Sequence, residues 1–160
     1  MNRSITPKPK GMNAHEIKYA LHKMFPAPDW LAVEELFLPG FDRYVDFWAM
    51  RIATDITKTA VYDYKAKYLS IHAIEIKTSR QDFEAEMKTP NKKIGAVEFS
   101  NYWSFAAPRG IIDPDELVKG IGYIEFRGSK GKFVRNPQIT YLQSPDWELV
   151  AALGRLILKG

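Results

Sequence analysis

The chain has 160 residues, of which 46% are hydrophobic and 26% charged, and this ordinary globular balance argues against a disordered polypeptide. No apolar run approaches the roughly 20 residues that a membrane-spanning helix needs, and the N-terminal segment lacks the apolar stretch of a signal peptide, so no membrane partner is expected. The absence of cysteine excludes disulfides and thiolate metal sites and favours the reducing cytoplasm, while the formal charge of +4 is compatible with a polyanionic partner.

The first twelve residues, 1–12, are basic and contain prolines, and we interpret them as a flexible N-terminal arm. No internal repeat, low-complexity tract or linker divides the remainder, so 13–160 is predicted to form a single α/β domain. Within it, apolar residues recur at helical spacing over 14–25, which predicts the first helix. Asn13 and Glu16 have the spacing of a capping box at its start.

Two stretches rich in β-branched and aromatic residues predict strands. The first covers 44–53, and the second, over 69–77, has the clearest strand pattern in the chain. Alternation along the second strand places Glu75 and Lys77 on one face and the two isoleucines between and before them on the other. The intervening segment 54–68 is compatible with an extended hairpin or with a loop.

The second half of the chain predicts further alternation of helices and strands. Thr78 or Ser79 is expected to cap a helix that ends near Lys88, because both have capping-box spacing to a polar residue three positions on. The other predicted elements are a short helix over 92–98, strands over 102–107 and 122–126, a hairpin strand over 132–135, and a C-terminal helix opened by Pro145-Asp146-Trp147.

The segment Glu75-Ile76-Lys77 is the first candidate for chemistry. Residues two apart on a strand share a face, so this carboxylate and this ammonium lie side by side, with backbones roughly 6–7 Å apart. The backbone carbonyl of Ile76 is a further candidate oxygen ligand for a cation held by Glu75. Alone, a Glu-x-Lys strand segment is also typical of a surface ion pair worth under about 1 kcal/mol.

Asp46 is the second candidate, because it lies within a strand that is otherwise apolar. Burying an unpaired carboxylate costs several kcal/mol, so we expect a cation or strong hydrogen-bond donors close to it. If the two strands are neighbours, Asp46 and Glu75 could hold one Mg²⁺ or Mn²⁺, since such ions take one or two protein carboxylates and keep several waters. Lys77 would then orient the attacking water or help to deprotonate it, and would stabilise charge on a phosphate.

Three histidines complete the list of metal-ligating residue types, but their spacing predicts no zinc site. His15 and His22 are seven residues apart and could share a helix face, and two histidines alone seldom form a site. His72 is expected to pack against the face of its strand.

Four segments occur in an order and spacing that resemble the PD-(D/E)XK nuclease superfamily, and in particular its small bacterial MmcB-like members associated with DNA repair. Those members have Glu-Leu-x-Leu, an Arg-x-Asp strand, Glu-Ile-Lys-x-Ser-x-x-Asp-Phe and a Phe-x-Phe-Ala-x-Pro strand. The matching segments here are Glu35-Leu36-Phe37-Leu38, Arg43-Tyr44-Val45-Asp46, Glu75-Ile76-Lys77-Thr78-Ser79-Arg80-Gln81-Asp82-Phe83 and Trp103-Ser104-Phe105-Ala106-Ala107-Pro108. The resemblance covers about residues 30–126 and implies a restriction-endonuclease-like core, a central mixed β-sheet flanked by α-helices.

The resemblance also implies roles for individual residues. By position, Asp46 and Glu75 would be the metal ligands, and Lys77 the catalytic lysine. Glu35 matches a further acidic position that could assist the metal, and Glu16 on the first helix is the alternative for that role.

Metal-dependent hydrolysis of DNA phosphodiesters, in repair or in a prophage- or restriction-type system, is the function that these features predict. Double-stranded DNA is the expected partner, and a homodimer is left open because many members of the superfamily act as dimers. The alternatives are a catalytically inactive nuclease-fold protein that binds DNA or serves as a scaffold, and an RNA-acting nuclease. The basic residues expected to contact nucleic acid follow the central motif and are Arg80, Lys88, Lys92, Lys93 and Arg109.

Overall fold

A computed structural model describes residues 11–38, 40–52, 70–89, 99–139 and 147–159. Within these ranges six strands form one sheet in the order of the sequence, β1 to β6. The elements are α1 (Ala14–Met24), β1 (Trp30–Leu38), β2 (Arg43–Arg51), β3 (Ile71–Ile76), α2 (Arg80–Met87), β4 (Tyr102–Pro108), a 3₁₀ turn (Pro114–Glu116), β5 (Gly122–Arg127), β6 (Lys130–Arg135) and α3 (Trp147–Lys159).

The sheet is mixed, and its strand directions follow from the connections. β1, β2 and β3 are antiparallel neighbours, β3, β4 and β5 run parallel, and β6 returns antiparallel to β5. Parallel neighbours need a crossover connection, and α2 lies in the connection between β3 and β4. This confirms the predicted α/β class, and the open sheet is compatible with a restriction-endonuclease-like core.

Each face of the sheet is covered by a separate apolar layer. On one face α1 packs against the sheet through the residues Ile17, Leu21, Phe47, Ile74, Ile76 and Ile124. On the other face α2 and α3 contribute to a layer that includes Trp48, Ala73, Phe83, Phe105, Leu149 and Leu153. The alternation predicted for β3 is therefore confirmed, since Ile74 and Ile76 belong to one layer and Ala73 to the other.

Several predicted boundaries are confirmed within one or two residues. The Asn13–Glu16 capping box starts α1, and the Ser79 side chain accepts the backbone N–H of Asp82 at the start of α2. β6 begins at Lys130, two residues before its predicted start. The predicted helix over 92–98, the segment 54–68 and most of the N-terminal arm lie outside the described residues. No helix in the described ranges has both the length and the apolar character to span a membrane.

One irregularity in the sheet positions the site. The pairing of β1 with β2 skips the position where Glu35 faces Asp46, and Glu35 has a φ of +52°. An L-residue in this left-handed region costs about 1 kcal/mol. The pairing of β2 with β3 begins only at Phe47, opposite Ile74, so Asp46 is the first β2 residue beyond that ladder.

Candidate active site at the end of β3

A cluster of charged side chains forms where β2 separates from β3. Arg43 and Asp46 come from the first half of β2. Glu75 lies near the end of β3, and Lys77 is the first residue after that strand. Glu86 reaches the same place from α2, through its ion pair with Lys77. Three carboxyl groups and two cationic side chains thus meet at the end of a central strand.

Asp46 is held by the backbone of the neighbouring strand. Its Oδ2 accepts a hydrogen bond from the backbone N–H of Ile76 at 2.8 Å. Because the β2–β3 ladder stops at Phe47 and Ile74, this N–H has no main-chain partner on β2, and the Asp46 carboxylate takes that place. The strong donor expected beside Asp46 is therefore a peptide group, which leaves the other carboxylate oxygen for a second interaction.

Glu75 is the most deeply buried carboxylate of the proposed metal pair. Its side chain is 6% exposed, and its Oε1 accepts a 2.8 Å hydrogen bond from Nη2 of Arg43. Burial raises the pKa of Glu75 to about 7, with the negative charge of Asp46 as the second cause, against the opposing effect of Arg43. The carboxylate of Asp46 is thus close enough to Glu75 for its charge to act on that group.

Lys77 and Glu86 form the second ion pair of the cluster. The Nζ of Lys77 lies 3.3 Å from Oε2 of Glu86, and the two side chains are 12% and 6% exposed. The other oxygen of Glu86 lies 3.9 Å from Nη2 of Arg43, so one carboxylate faces both cations. The backbone N–H of Lys77 donates to the carbonyl of Ala106 at 2.9 Å, which extends the contact between β3 and β4.

Two members of the cluster, Arg43 and Glu86, were not among the predicted site residues. Glu86 had a detectable signal, because it follows Phe83 by three residues, and helical residues at this spacing share a face. Phe83 is buried against Phe105, so this face of α2 points toward the sheet. In the sequence Arg43 is part of the Arg-x-Asp segment, and no local pattern indicates its pairing with a residue 32 positions away.

The two additional acidic candidates have carboxylates that are engaged outside the cluster. Glu35 has an exposed carboxylate whose Oε1 is 2.9 Å from Nζ of Lys18 on α1. Its left-handed backbone interrupts the regular pairing of β1 with β2 at that point. Glu16 is exposed and completes the capping box of α1 with Asn13. In the described structure the Glu35 and Glu16 carboxylates are thus engaged by Lys18 and by the α1 cap, respectively.

The basic residues predicted to contact nucleic acid differ in how they are engaged. The guanidinium of Arg80 pairs with Glu84 at 2.8 Å, binds both carboxylate oxygens of Glu116, and contacts the carbonyl of Ile111. It thereby holds the start of α2 to the loop that follows β4. Lys88 and Arg109 are exposed. Lys92 and Lys93 lie outside the described residues.

The composition of the cluster suits a hard divalent cation in one respect. Carboxylate oxygens are the ligands that Mg²⁺ and Mn²⁺ prefer, and mutual repulsion between Asp46 and Glu75 is relieved by a cation between them. Among the described residues, no group of three or more histidine, aspartate or glutamate side chains has an arrangement that could hold a metal ion. A site here would therefore rest on two carboxylates, with water or the Ile76 carbonyl as further ligands.

His72 belongs to the core and not to a site. Its ring stacks on Tyr102 with centroids 4.8 Å apart and contacts Phe25 and Trp30 edge-on or tilted. Burial lowers the pKa of His72 to about 4, so the ring is neutral at physiological pH. This confirms the expectation that His72 packs against its strand.

Together, the fold and the cluster define an α/β protein with a buried acidic and basic site at the end of a central strand. No family model matches the chain, and no curated protein matches it. Among solved structures the chain is similar to a protein of unknown function from Silicibacter pomeroyi, with a TM-score of 0.58 and 20% sequence identity. The likeness covers 91% of this chain and 82% of that chain, and at this identity it shows the fold alone.

Proposed function

We propose that the protein is a divalent-metal-dependent nuclease that hydrolyses phosphodiester bonds in DNA. The observation that carries the proposal is the meeting of Asp46, Glu75 and Lys77 at one point of the fold, although Asp46 is separated from the other two by about 30 residues of chain. Carboxylates of neighbouring strands and a lysine beside them are groups suited to metal-assisted hydrolysis of a phosphodiester. The expected substrate is double-stranded DNA, in a repair or prophage- or restriction-type role.

Each residue would have a separate task in this reaction. Asp46 and Glu75 would hold Mg²⁺ or Mn²⁺, with Asp46 oriented by its hydrogen bond to the Ile76 N–H. Such a cation, when bound, supplies Lewis-acid activation of the phosphate and of a bound water. Lys77, as an ammonium beside the metal pair, would orient the attacking water and stabilise the developing charge on the phosphate.

A plasmid-nicking assay tests the proposal. We expect the wild-type protein to convert supercoiled DNA to nicked or linear DNA in Mg²⁺ or Mn²⁺, and Asp46→Asn and Lys77→Ala to lose this activity by a factor of at least about 100. The asparagine side chain keeps an oxygen that can accept the Ile76 N–H, so Asp46→Asn removes the charge while it preserves the local backbone.

Glu35→Gln is the matched control, because Glu35 is exposed and pairs with Lys18. It should cleave at the wild-type rate. Unchanged cleavage by Asp46→Asn or Lys77→Ala, with unfolding curves that match the wild type, would contradict the proposal.

A second candidate function is a nuclease-fold protein that binds DNA without cleaving it. The observation that favours it is the 2.8 Å contact between Arg43 and Glu75, because a guanidinium already compensates the charge that a metal would neutralise. This candidate predicts DNA binding without nicking in any divalent cation. Titration calorimetry with Mn²⁺, combined with the nicking assay, separates the two candidates.

A further inference from the structure

Arg43 lies between the two most buried carboxylates of the site. Its Nη2 donates to Glu75 at 2.8 Å and lies 3.9 Å from Oε1 of Glu86. The first distance is a hydrogen bond, whereas the second is an ion pair beyond hydrogen-bond range. A shift of the guanidinium by roughly 1 Å would therefore bring it into hydrogen-bond contact with Glu86.

The guanidinium also has unused hydrogen-bonding capacity. Its Nη1 is buried and has no hydrogen-bond partner within the described part of the chain. Buried donors in native proteins are nearly always paired, so Nη1 is a donor that a nearby carboxylate oxygen can take up if the guanidinium moves. Arginine is suited to such an exchange, because its planar fork offers five donors to carboxylate oxygens.

Glu86 is placed in advance as the alternative partner. It is 6% exposed, and its other oxygen is fixed by Lys77 at 3.3 Å. α2, which carries Glu86, is itself held by the Ser79 cap and by the burial of Phe83. A cation that takes an oxygen of Glu75 therefore leaves Arg43 with a carboxylate already in position.

We propose that Arg43 is the resident counter-cation of Glu75, and that binding of a divalent cation moves its guanidinium from Glu75 to Glu86. This inference rests on the proposed function, because it concerns the same metal pair. It makes Glu86 a positioning residue that acts through Arg43. Arg43 and the divalent cation compete for Glu75, so Arg43 sets the metal affinity of the site.

Calorimetric titration of the full chain with Mn²⁺ alone, without DNA, tests this inference. Arg43→Gln should bind Mn²⁺ at least about tenfold more tightly than the wild type, since it removes the competitor. Arg43→Lys keeps the charge and should remain within about threefold of the wild type. Arg43→Lys also serves as the second variant if Arg43→Gln folds poorly. Its Mn²⁺ affinity should match that of the wild type and should not lie below it.

A double-mutant cycle tests the role of Glu86. If Glu86 receives the guanidinium, Glu86→Gln should weaken Mn²⁺ binding about tenfold in the wild type but by less than about threefold in Arg43→Gln. If Glu86 were a metal ligand or only a source of negative charge, Glu86→Gln would weaken Mn²⁺ binding equally in both backgrounds. That result would overturn the role assigned to Glu86. A structural role alone would lower the melting temperature and leave the affinity pattern unchanged.

The outcomes for this inference and for the proposed function are distinguishable. Equal Mn²⁺ affinity in the wild type and Arg43→Gln, with nicking intact, overturns the competition and leaves the nuclease function standing. Absence of both Mn²⁺ binding and nicking in the wild type, Arg43→Gln and Arg43→Lys overturns the nuclease function, and the inference with it.

Discussion

Asp46 combines two duties in one side chain. One oxygen satisfies the Ile76 N–H, which the neighbouring strand leaves without a main-chain partner, and an unpaired buried N–H would cost about 1–3 kcal/mol. The same contact fixes the carboxylate beside Glu75, where its charge contributes to the raised pKa of that group. Local structure and candidate chemistry thus depend on the same side chain, so variants at this position must preserve the acceptor.

Replacement of His72, whose ionisable ring packs among aromatic side chains, should change how the free energy of unfolding depends on pH. The folded pKa of His72 is about 4, below its ordinary value of 6.5, so the unfolded chain binds the proton first as the pH falls. The free energy of unfolding should therefore decrease by about 3 kcal/mol between pH 6.5 and 4 through this residue. His72→Phe should remove that loss, as measured by denaturant unfolding across this range.

Glu75 makes the free energy of unfolding depend on pH in the direction opposite to His72. Its pKa of about 7 means that the folded state retains a proton that the unfolded chain releases near pH 4.5, so stability falls as the pH rises between these values. In His72→Phe this fall should become visible. His72→Gln should share the slope of His72→Phe at lower overall stability, because it loses the stacking on Tyr102. Parallel curves for the wild type and both variants would contradict the assignment.

At the scale of elements, α2 connects a cap to the site. The hydroxyl of Ser79 accepts the Asp82 N–H at 3.1 Å, and seven residues later Glu86 reaches Lys77. Ser79→Ala should lower the free energy of unfolding by about 1 kcal/mol, whereas Ser79→Asp, which retains an acceptor, should stay near the wild type. Equal losses for both variants in denaturant titrations would argue against a capping role.

The sequence predicted those elements that local pattern determines. Ser79 and the Asn13–Glu16 box are sets of neighbouring residues, and the alternation along β3 follows from a buried sheet. Asp46, Glu75 and Lys77 were predicted as site residues from their motif, and the structure brings the three residues together at the end of β3. Arg43 and Glu86 escaped prediction because their contacts join β2, β3 and α2, and such contacts depend on how the whole sheet is assembled.

The contribution of charge to partner binding belongs to the whole molecule. The chain has a formal charge of +4, but local pairing decides which cations are available to a phosphate backbone. Arg80 is engaged by Glu84 and Glu116, whereas Arg109 is exposed. We therefore expect Arg109→Gln to reduce the slope of log affinity against log salt for duplex DNA by about 1, and Arg80→Gln to reduce it by less.

Fluorescence anisotropy with a labelled duplex at several salt concentrations measures these slopes. Lys88→Gln offers a second exposed cation for comparison. A slope unchanged in Arg109→Gln but reduced in Arg80→Gln would show that DNA displaces the carboxylates from Arg80. Absence of salt-dependent binding by the wild type would contradict a duplex DNA partner.

The left-handed turn of the backbone at Glu35 has a consequence for the behaviour of the protein in concentrated solution. Among the strands of the described ranges, β1 is an outer strand of the sheet, and its sequence from Trp30 to Leu38 is apolar apart from two glutamates. A flat apolar edge of this kind is a template for intermolecular strand pairing and aggregation. The distortion at Glu35 and the exposed charge that it presents to Lys18 interrupt that template near its middle, and so favour a molecule that stays dispersed.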